Sequence, residues 1–457
     1  MQIGFRYQVW PCNSLKPNRS SPVAGAARSL LGVALPHQPV SRYQSVFLLM
    51  FALIIGLSFT YSPGGTSDVG SWHAWVENAA NYGPVEGYAV SRSDYPPLAS
   101  AILWVADQVF QPLRVGTSLN IKFSIFFFLS LTVLVFWLWV RDLKVALMLY
   151  FALLLNSVAL AYLDIYFAPA LIFSLWMLEE RRWLWFSLSF VVATLIKWQP
   201  MIIAPFCLLY ILGIRDIREL SQLDYSGLFG KVVVPAAALA SFVVFAFGPV
   251  PVWKAFSDVL TESFLSGNAL NLNWVVTYFL HVWDPDQFGH LQNGVANYIK
   301  DPSLRVVLLP RLLFWSTYLV VLALFFRCHK TFTNLLIFSV LGYLCYYTFN
   351  TGVHENHLFL VAVLAVVLYW REESWRTNAV ILLLMANINL FLFYGVDGDL
   401  HFPRLFAGID IALVLAVLNV LFFIYLYGAV LAEYLQPFWT KRAEYRKKAA
   451  LFDAKRV

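Results

Sequence analysis

Asp68 stands seven residues past a long apolar run, in the string Ser67-Asp68-Val69-Gly70-Ser71-Trp72-His73. A carboxylate held at a membrane surface is a candidate general base for a hydroxyl. An aspartate there also suits the N-cap of a helix starting at Val69, and the two roles are compatible. Asp94-Tyr95-Pro96-Pro97-Leu98 comes next. Its prolines fix φ and begin a helix cleanly, which leaves Asp94 and Tyr95 at the helix head as binding candidates. Further along, Asp164 and the string Lys197-Trp198-Gln199-Pro200 fall at the turns of two short apolar hairpins, 145–178 and 183–213. Hairpins this short cannot reach far beyond a bilayer, so both charges are expected in a recess. An ionisable group at that depth is either functional or one half of a structural ion pair. In the functional reading Lys197 meets an anionic head group, with Gln199 beside it. Thr351-Gly352-Val353-His354-Glu355-Asn356-His357 offers two histidines and a glutamate. The histidines are three apart with no third ligand nearby, unlike HExxH, so the cluster is read as hydrogen-bonding or phosphate-contacting and no metal is expected. Asn268, Asn271, Asn273 and Trp274 pair amides with an indole, suited to sugar or head-group contacts. Asp397, Asp399, His401 and Arg404 decorate a late loop, and Arg404 is the cation among them.

The segments that must position these groups are apolar. The chain is 60% hydrophobic, 17% aromatic and only 13% charged, with a mean hydropathy of +0.67. That excess belongs in lipid. Apolar runs fall at 45–61, 121–140, 145–162, 165–178, 183–196, 201–213, 232–248, 306–326, 332–350, 358–370, 378–394 and 405–431. The expected fold is an all-α polytopic membrane protein of about twelve transmembrane helices. Loops on the side of the termini, together with both tails, hold 23 of the 32 Lys and Arg residues, the asymmetry of a cytoplasmic face. Two long segments, 62–120 and 249–305, then lie on the opposite face. The first contains an amphipathic stretch, Val69 to Tyr82, and the short apolar stretch Leu98 to Phe110, both suited to helices lying in the interface. Residues 1–42 read as a disordered cytoplasmic tail, 43–435 as the transmembrane domain and 436–457 as a basic cytoplasmic tail. The four cysteines are scattered without metal spacing, and the +6 net charge forms no stripe for nucleic acid.

These motifs together resemble the GT-C class of membrane glycosyltransferases. "DYPPL" and the "HE" of "HENH" resemble dolichyl-phosphate-glucose-dependent glucosyltransferases. "IKWQP" and "NLNW" look more like bacterial polyprenyl-phosphate-mannose-dependent mannosyltransferases and their GPI-pathway relatives. The resemblance spans roughly residues 45 to 410. It departs at Asn356, where those families commonly carry Lys or Arg after the "HE" pair; Lys197, His357 or Arg404 is then the substitute cation.

The resemblance implies inverting transfer of one hexose, mannose or glucose, from a polyprenyl-phosphate sugar at the non-cytoplasmic face, without nucleotide sugar, cofactor or metal. The acceptor is a glycan, lipid or protein. Asp68 is the expected base, with Asp94 in reserve; His354 and Lys197 are expected at the leaving phosphate, and Asp94, Tyr95, Gln199, Asn273, Trp274, Glu355, His357 and Arg404 at substrate. The location is a bacterial plasma membrane, or endoplasmic reticulum in a eukaryote. The competing reading is a transporter or flippase of lipid-linked sugars, which would spread its ionisable groups along a path near mid-bilayer.

Overall fold

The computed structural model describes residues 42–113, 116–262, 264–399 and 404–453. Nearly all of the expected N-terminal tail, and His401, lie outside them.

The described chain is helical almost throughout: α1 (Arg42–Tyr61), α2 (Val69–Ser91), α3 (Pro97–Phe110), α4 (Thr117–Val140), α5 (Leu143–Leu154), α6 (Ala168–Glu179), α7 (Trp183–Ile196), α8 (Ala204–Leu212), α9 (Tyr225–Leu228), α10 (Val234–Phe247), α11 (Pro249–Leu260), α12 (Leu272–Trp283), α13 (Pro285–Phe288), α14 (Leu304–Arg327), α15 (Phe332–Phe349), α16 (Phe359–Arg371), α17 (Arg376–Tyr394) and α18 (Ile411–Asp453). Every apolar run of the sequence carries a helix. Two compact units are present. Among the described residues, one comprises 42–50 and 424–453; the other is Phe51–Phe423 and contains the site described below. The expected tail boundary at 435 falls inside α18, whose helix continues to Asp453.

Among the described residues, seven helical segments are long and apolar enough to cross a membrane: Tyr43–Tyr61, Thr117–Val140, Tyr225–Phe247, Leu304–Arg327, Phe332–Phe349, Glu373–Tyr394 and Ile411–Glu433. The protein is thus an all-α membrane protein. Its hydroxyls inside such helices bond back to the preceding turn, as Thr60 does to the Gly56 carbonyl at 2.8 Å, because lipid offers no water to satisfy them.

The other five apolar runs form shorter helices, α5, α6, α7, α8 and α16, of nine to fourteen residues. At about 1.5 Å per residue even fourteen residues fall short of a 30 Å hydrocarbon layer. α16 is buried on all sides from Phe359 to Leu368, the signature of a central core helix. Three of the short helices adjoin 3₁₀ turns: Leu163–Tyr166 before α6, Gln199–Ile203 before α8 and Glu355–Leu358 before α16. Pro200 has no N–H to give a continuing helix, so α7 stops at Ile196 and Lys197 is extended. The polar strings lie at these helix breaks.

In the two long segments, α2 and α3 take up the two stretches expected after α1. The second long segment also folds into helices, and exposed apolar faces on α11 (Val250, Trp253) and α12 (Phe279, Trp283) suit a lipid interface. One run departs from its expected helix. Residues 405–410 form a two-stranded hairpin, because Ala407 (φ +50°) and Gly408 (φ +80°) make a tight turn. The buried Asp410 carboxylate then accepts from the Ala296 and Ala412 amides at 3.1 and 2.9 Å, and α18 starts beyond it.

Candidate functional site

A cavity of about 670 Å³ gathers most of the polar strings. Asp68, Asp94, Tyr95, Lys197, Gln199, His354, Glu355 and His357 all line it, although they come from four separate stretches of chain.

Asp68 is placed by the backbone before α2. The Gly65 amide donates to the Asp397 carbonyl at 2.7 Å and the Thr66 amide to the Leu160 carbonyl at 3.1 Å. A side chain at Gly398 would strike the Gly65 backbone, so the two segments can meet only at glycine. Trp72 of α2 donates its indole N–H to the Ala161 carbonyl at 3.1 Å. The N-cap role expected for Asp68 is not what the structure holds. Its backbone is helical (φ −61°, ψ −25°) and its side chain makes no capping bond, since a capping residue needs extended dihedrals to reach back to the helix amides. Among the described residues the carboxylate has no hydrogen-bond or ion-pair partner, and it lines the cavity. Burial and the nearby charge of Glu355 raise its pKa to about 6, against the opposing pull of His354 and Lys197.

Asp94 sits exposed at the rim, with the Trp198 indole donating to its carbonyl at 3.0 Å. Pro96 and Pro97 start α3 as expected. Tyr95 is buried against Trp72 and Trp75, edge to face at 5.4 and 5.5 Å. Its ring lies 3.6 Å below the Lys197 ammonium. Lys197 also pairs with the fully buried Asp164 at 3.0 Å, and the other Asp164 oxygen accepts from the Asn356 amide at 2.7 Å. The two sequence readings of Lys197 are therefore joined in one residue: it is half of an ion pair, and it faces the cavity. The departure at Asn356 also acquires a meaning, since this side chain holds the carboxylate that holds Lys197.

The ion pair makes a stability prediction. Asp164→Leu leaves an ammonium buried without its counter-charge and is expected to cost about 3–5 kcal/mol. Asp164→Leu combined with Lys197→Met is expected to recover most of that loss in thermal unfolding in detergent. A double variant as unstable as the two single losses added would show that the pair is not the coupled unit.

Glu355 accepts from the hydroxyls of Tyr162 and Tyr394 at 2.5 and 3.2 Å. His354 meets Glu262 at 2.5 Å. Burial disfavours the charged ring, but the hydrogen bond and charge of Glu262 outweigh it and lift the His354 pKa to about 9. His357 behaves differently. Its Nδ1 accepts from the Tyr346 hydroxyl at 3.0 Å, and burial with the nearby charges of His354 and Lys197 holds its pKa well below the ordinary histidine value. It is neutral and no substitute cation.

Three expected contacts are corrected. Asn273 donates to the Phe349 and Asn350 carbonyls at 3.1 and 2.7 Å. Trp274 is fully buried in a cluster with Leu270, Ala296 and Phe393. Arg404 donates to the Ala296 carbonyl at 2.6 Å and lies over the Phe393 ring at 5.1 Å. None of the three lines the cavity. The "NLNW" string instead begins α12, with Asn271 capping the Trp274 amide at 3.0 Å, and braces the chain end that presents His354. The Asn271 and Asn273 amide nitrogens are taken by backbone carbonyls, and the string lies outside the cavity.

Glu262, Tyr162 and Tyr394 belong to the site without having been singled out in the sequence. Glu262 had a signal, being the one charged residue between Leu260 and Leu272. The two tyrosines had none among the chain's 23. Asn389, from α17, also clamps the site: it accepts from the Leu270 amide and the Tyr347 hydroxyl and donates to the Asn268 carbonyl. Among the described residues, no group of three His, Cys, Asp or Glu side chains is set to hold a metal ion. No protein-family model matches the chain, and no curated protein matches it.

Proposed function

We propose that this protein is a GT-C-type glycosyltransferase that moves one hexose, mannose or glucose, from a polyprenyl phosphate to an acceptor hydroxyl at the non-cytoplasmic face, with inversion. The observation that carries the reading is the convergence in one cavity of a carboxylate with no partner among the described residues and a pKa raised to about 6, two cationic groups and aromatic walls. The same cavity runs out to Met201 and Trp315, both partly exposed on apolar helices, a route by which a lipid chain can leave a polar head group behind. The acceptor oxygen attacks the anomeric carbon while Asp68 takes its proton. The bond from that carbon to the phosphate oxygen breaks, and the polyprenyl phosphate leaves with its charge against Lys197 and His354. A single displacement inverts the anomeric centre. The acceptor is a glycan, lipid or protein hydroxyl.

In this reading the twelve apolar runs are crossings, the five with short helices completed by the turns and extended segments that flank them, with both termini cytoplasmic and α2 and α3 in the outer interface. The membrane is a bacterial plasma membrane, or endoplasmic reticulum in a eukaryote. Sealed proteoliposomes of known orientation, loaded with a synthetic polyprenyl-phosphate hexose, test function and sidedness together. Transfer, with release of polyprenyl phosphate, is expected only when an impermeant acceptor is on the side of Asp68. Movement of the intact lipid-linked sugar across the bilayer without transfer would instead establish a flippase.

A further inference from the structure

Gln199 opens the 3₁₀ turn between α7 and α8 and lines the cavity next to Lys197. It is only 5% exposed. Neither its amide nitrogen nor its amide oxygen has a hydrogen-bond partner among the described residues. Among the described residues that line the cavity, it is the one whose buried polar atoms are left in this state. Nearby buried polar groups are engaged: Asn356 with Asp164, Glu355 with two tyrosines, His357 with Tyr346. The backbone around Gln199 is also held, by Pro200 after it and by the Trp198 indole bond to Asp94 before it. Buried amides are normally satisfied at both ends, so an occupant that offers a donor and an acceptor side by side would complete this one.

That requirement discriminates between ligand groups. A phosphate has acceptor oxygens only. It could meet the amide nitrogen, but would leave the amide oxygen facing negative charge. A vicinal pair of hydroxyls fits, since each hydroxyl can both donate and accept. We infer that Gln199 is the specificity-determining residue of the site and reads two adjacent hydroxyls of the transferred sugar, while Lys197 beside it holds the phosphate. This inference rests on the glycosyltransferase reading above, and it adds to it which part of the donor is recognised and by which residue.

A monodeoxy series of glucosyl and mannosyl polyprenyl phosphates tests it, each sugar lacking one ring hydroxyl. The parent protein is expected to lose at least about 20-fold in kcat/KM with two donors of a series, those missing one or other of two neighbouring hydroxyls, because a site built for a hydroxyl rejects its absence. Gln199→Met keeps length and packing. It is expected to bring the complete sugar down to the level of those two donors and to shrink the discrimination below about threefold. It should also unfold no earlier than the parent on heating, since it removes an unpaired amide from the interior; a merely structural glutamine would lose stability and leave the discrimination intact. Full discrimination retained in Gln199→Met overturns the inference while leaving the transferase standing. Absence of transfer from every donor by the parent protein overturns both.

Discussion

Asp68→Asn is expected to lower hexosyl transfer at least about 100-fold while donor binding survives. Asparagine keeps the size and polarity of the side chain and removes its basicity. The same variant is expected to unfold at a higher temperature than the parent at neutral pH. The sign follows from linkage. The folded-state pKa of Asp68 is raised from 3.8 to about 6. The folded protein therefore binds the proton more tightly than the unfolded chain, so stability falls as pH rises through that window, and at pH 7 the folded state carries an unfavourable charge. Partial exposure reduces the effect to about 1 kcal/mol. Loss of activity with gain of stability is the mark of a group kept for chemistry; a capping or packing residue would lose both. Asp94→Asn, at the exposed rim, is expected to retain activity within about tenfold. An Asp68→Asn protein that transfers at nearly the parent rate would remove Asp68 as the base, and a large loss in Asp94→Asn alone would move the role there.

The pH profile of kcat/KM is expected to be bell-shaped, rising through about pH 6 as Asp68 ionises and falling through about pH 9 as His354 loses its proton. Glu262 sets the basic limb. In Glu262→Gln the charge that holds the imidazolium is gone, and the His354 pKa is expected to drop to the ordinary value of about 6.5 or below. At pH 8 the protonated fraction then falls about 30-fold and kcat/KM with it, whereas at pH 6 the two proteins should differ by less than about threefold. A basic limb that stays near 9 in Glu262→Gln would show that His354 is not the titrating group.

The all-helical architecture was legible in the residues because lipid makes a one-dimensional demand. A run of apolar side chains must satisfy its own backbone, and a helix is the local way to do it. Each of the twelve runs accordingly carries a helix, and the diproline at Pro96-Pro97 begins α3 where its fixed dihedrals require. Candidate residues in short hairpins were also legible, since Asp164 and Lys197 had no other place for their charge. Partnership was not. His354 and Glu262 are 92 residues apart, Tyr162 and Glu355 are 193, and no spacing in the chain records either pair. The amides of "NLNW" looked equally fit for sugar and for backbone carbonyls, and the Phe349 and Asn350 carbonyls take Asn273 only once α12 and α15 are packed together. Arg404 and Lys197 were equivalent cations in the sequence. Packing sent one to a backbone carbonyl and two aromatic rings and the other to the cavity, because a cation's role depends on which unpaired groups surround it, and those groups are brought there by the tertiary fold.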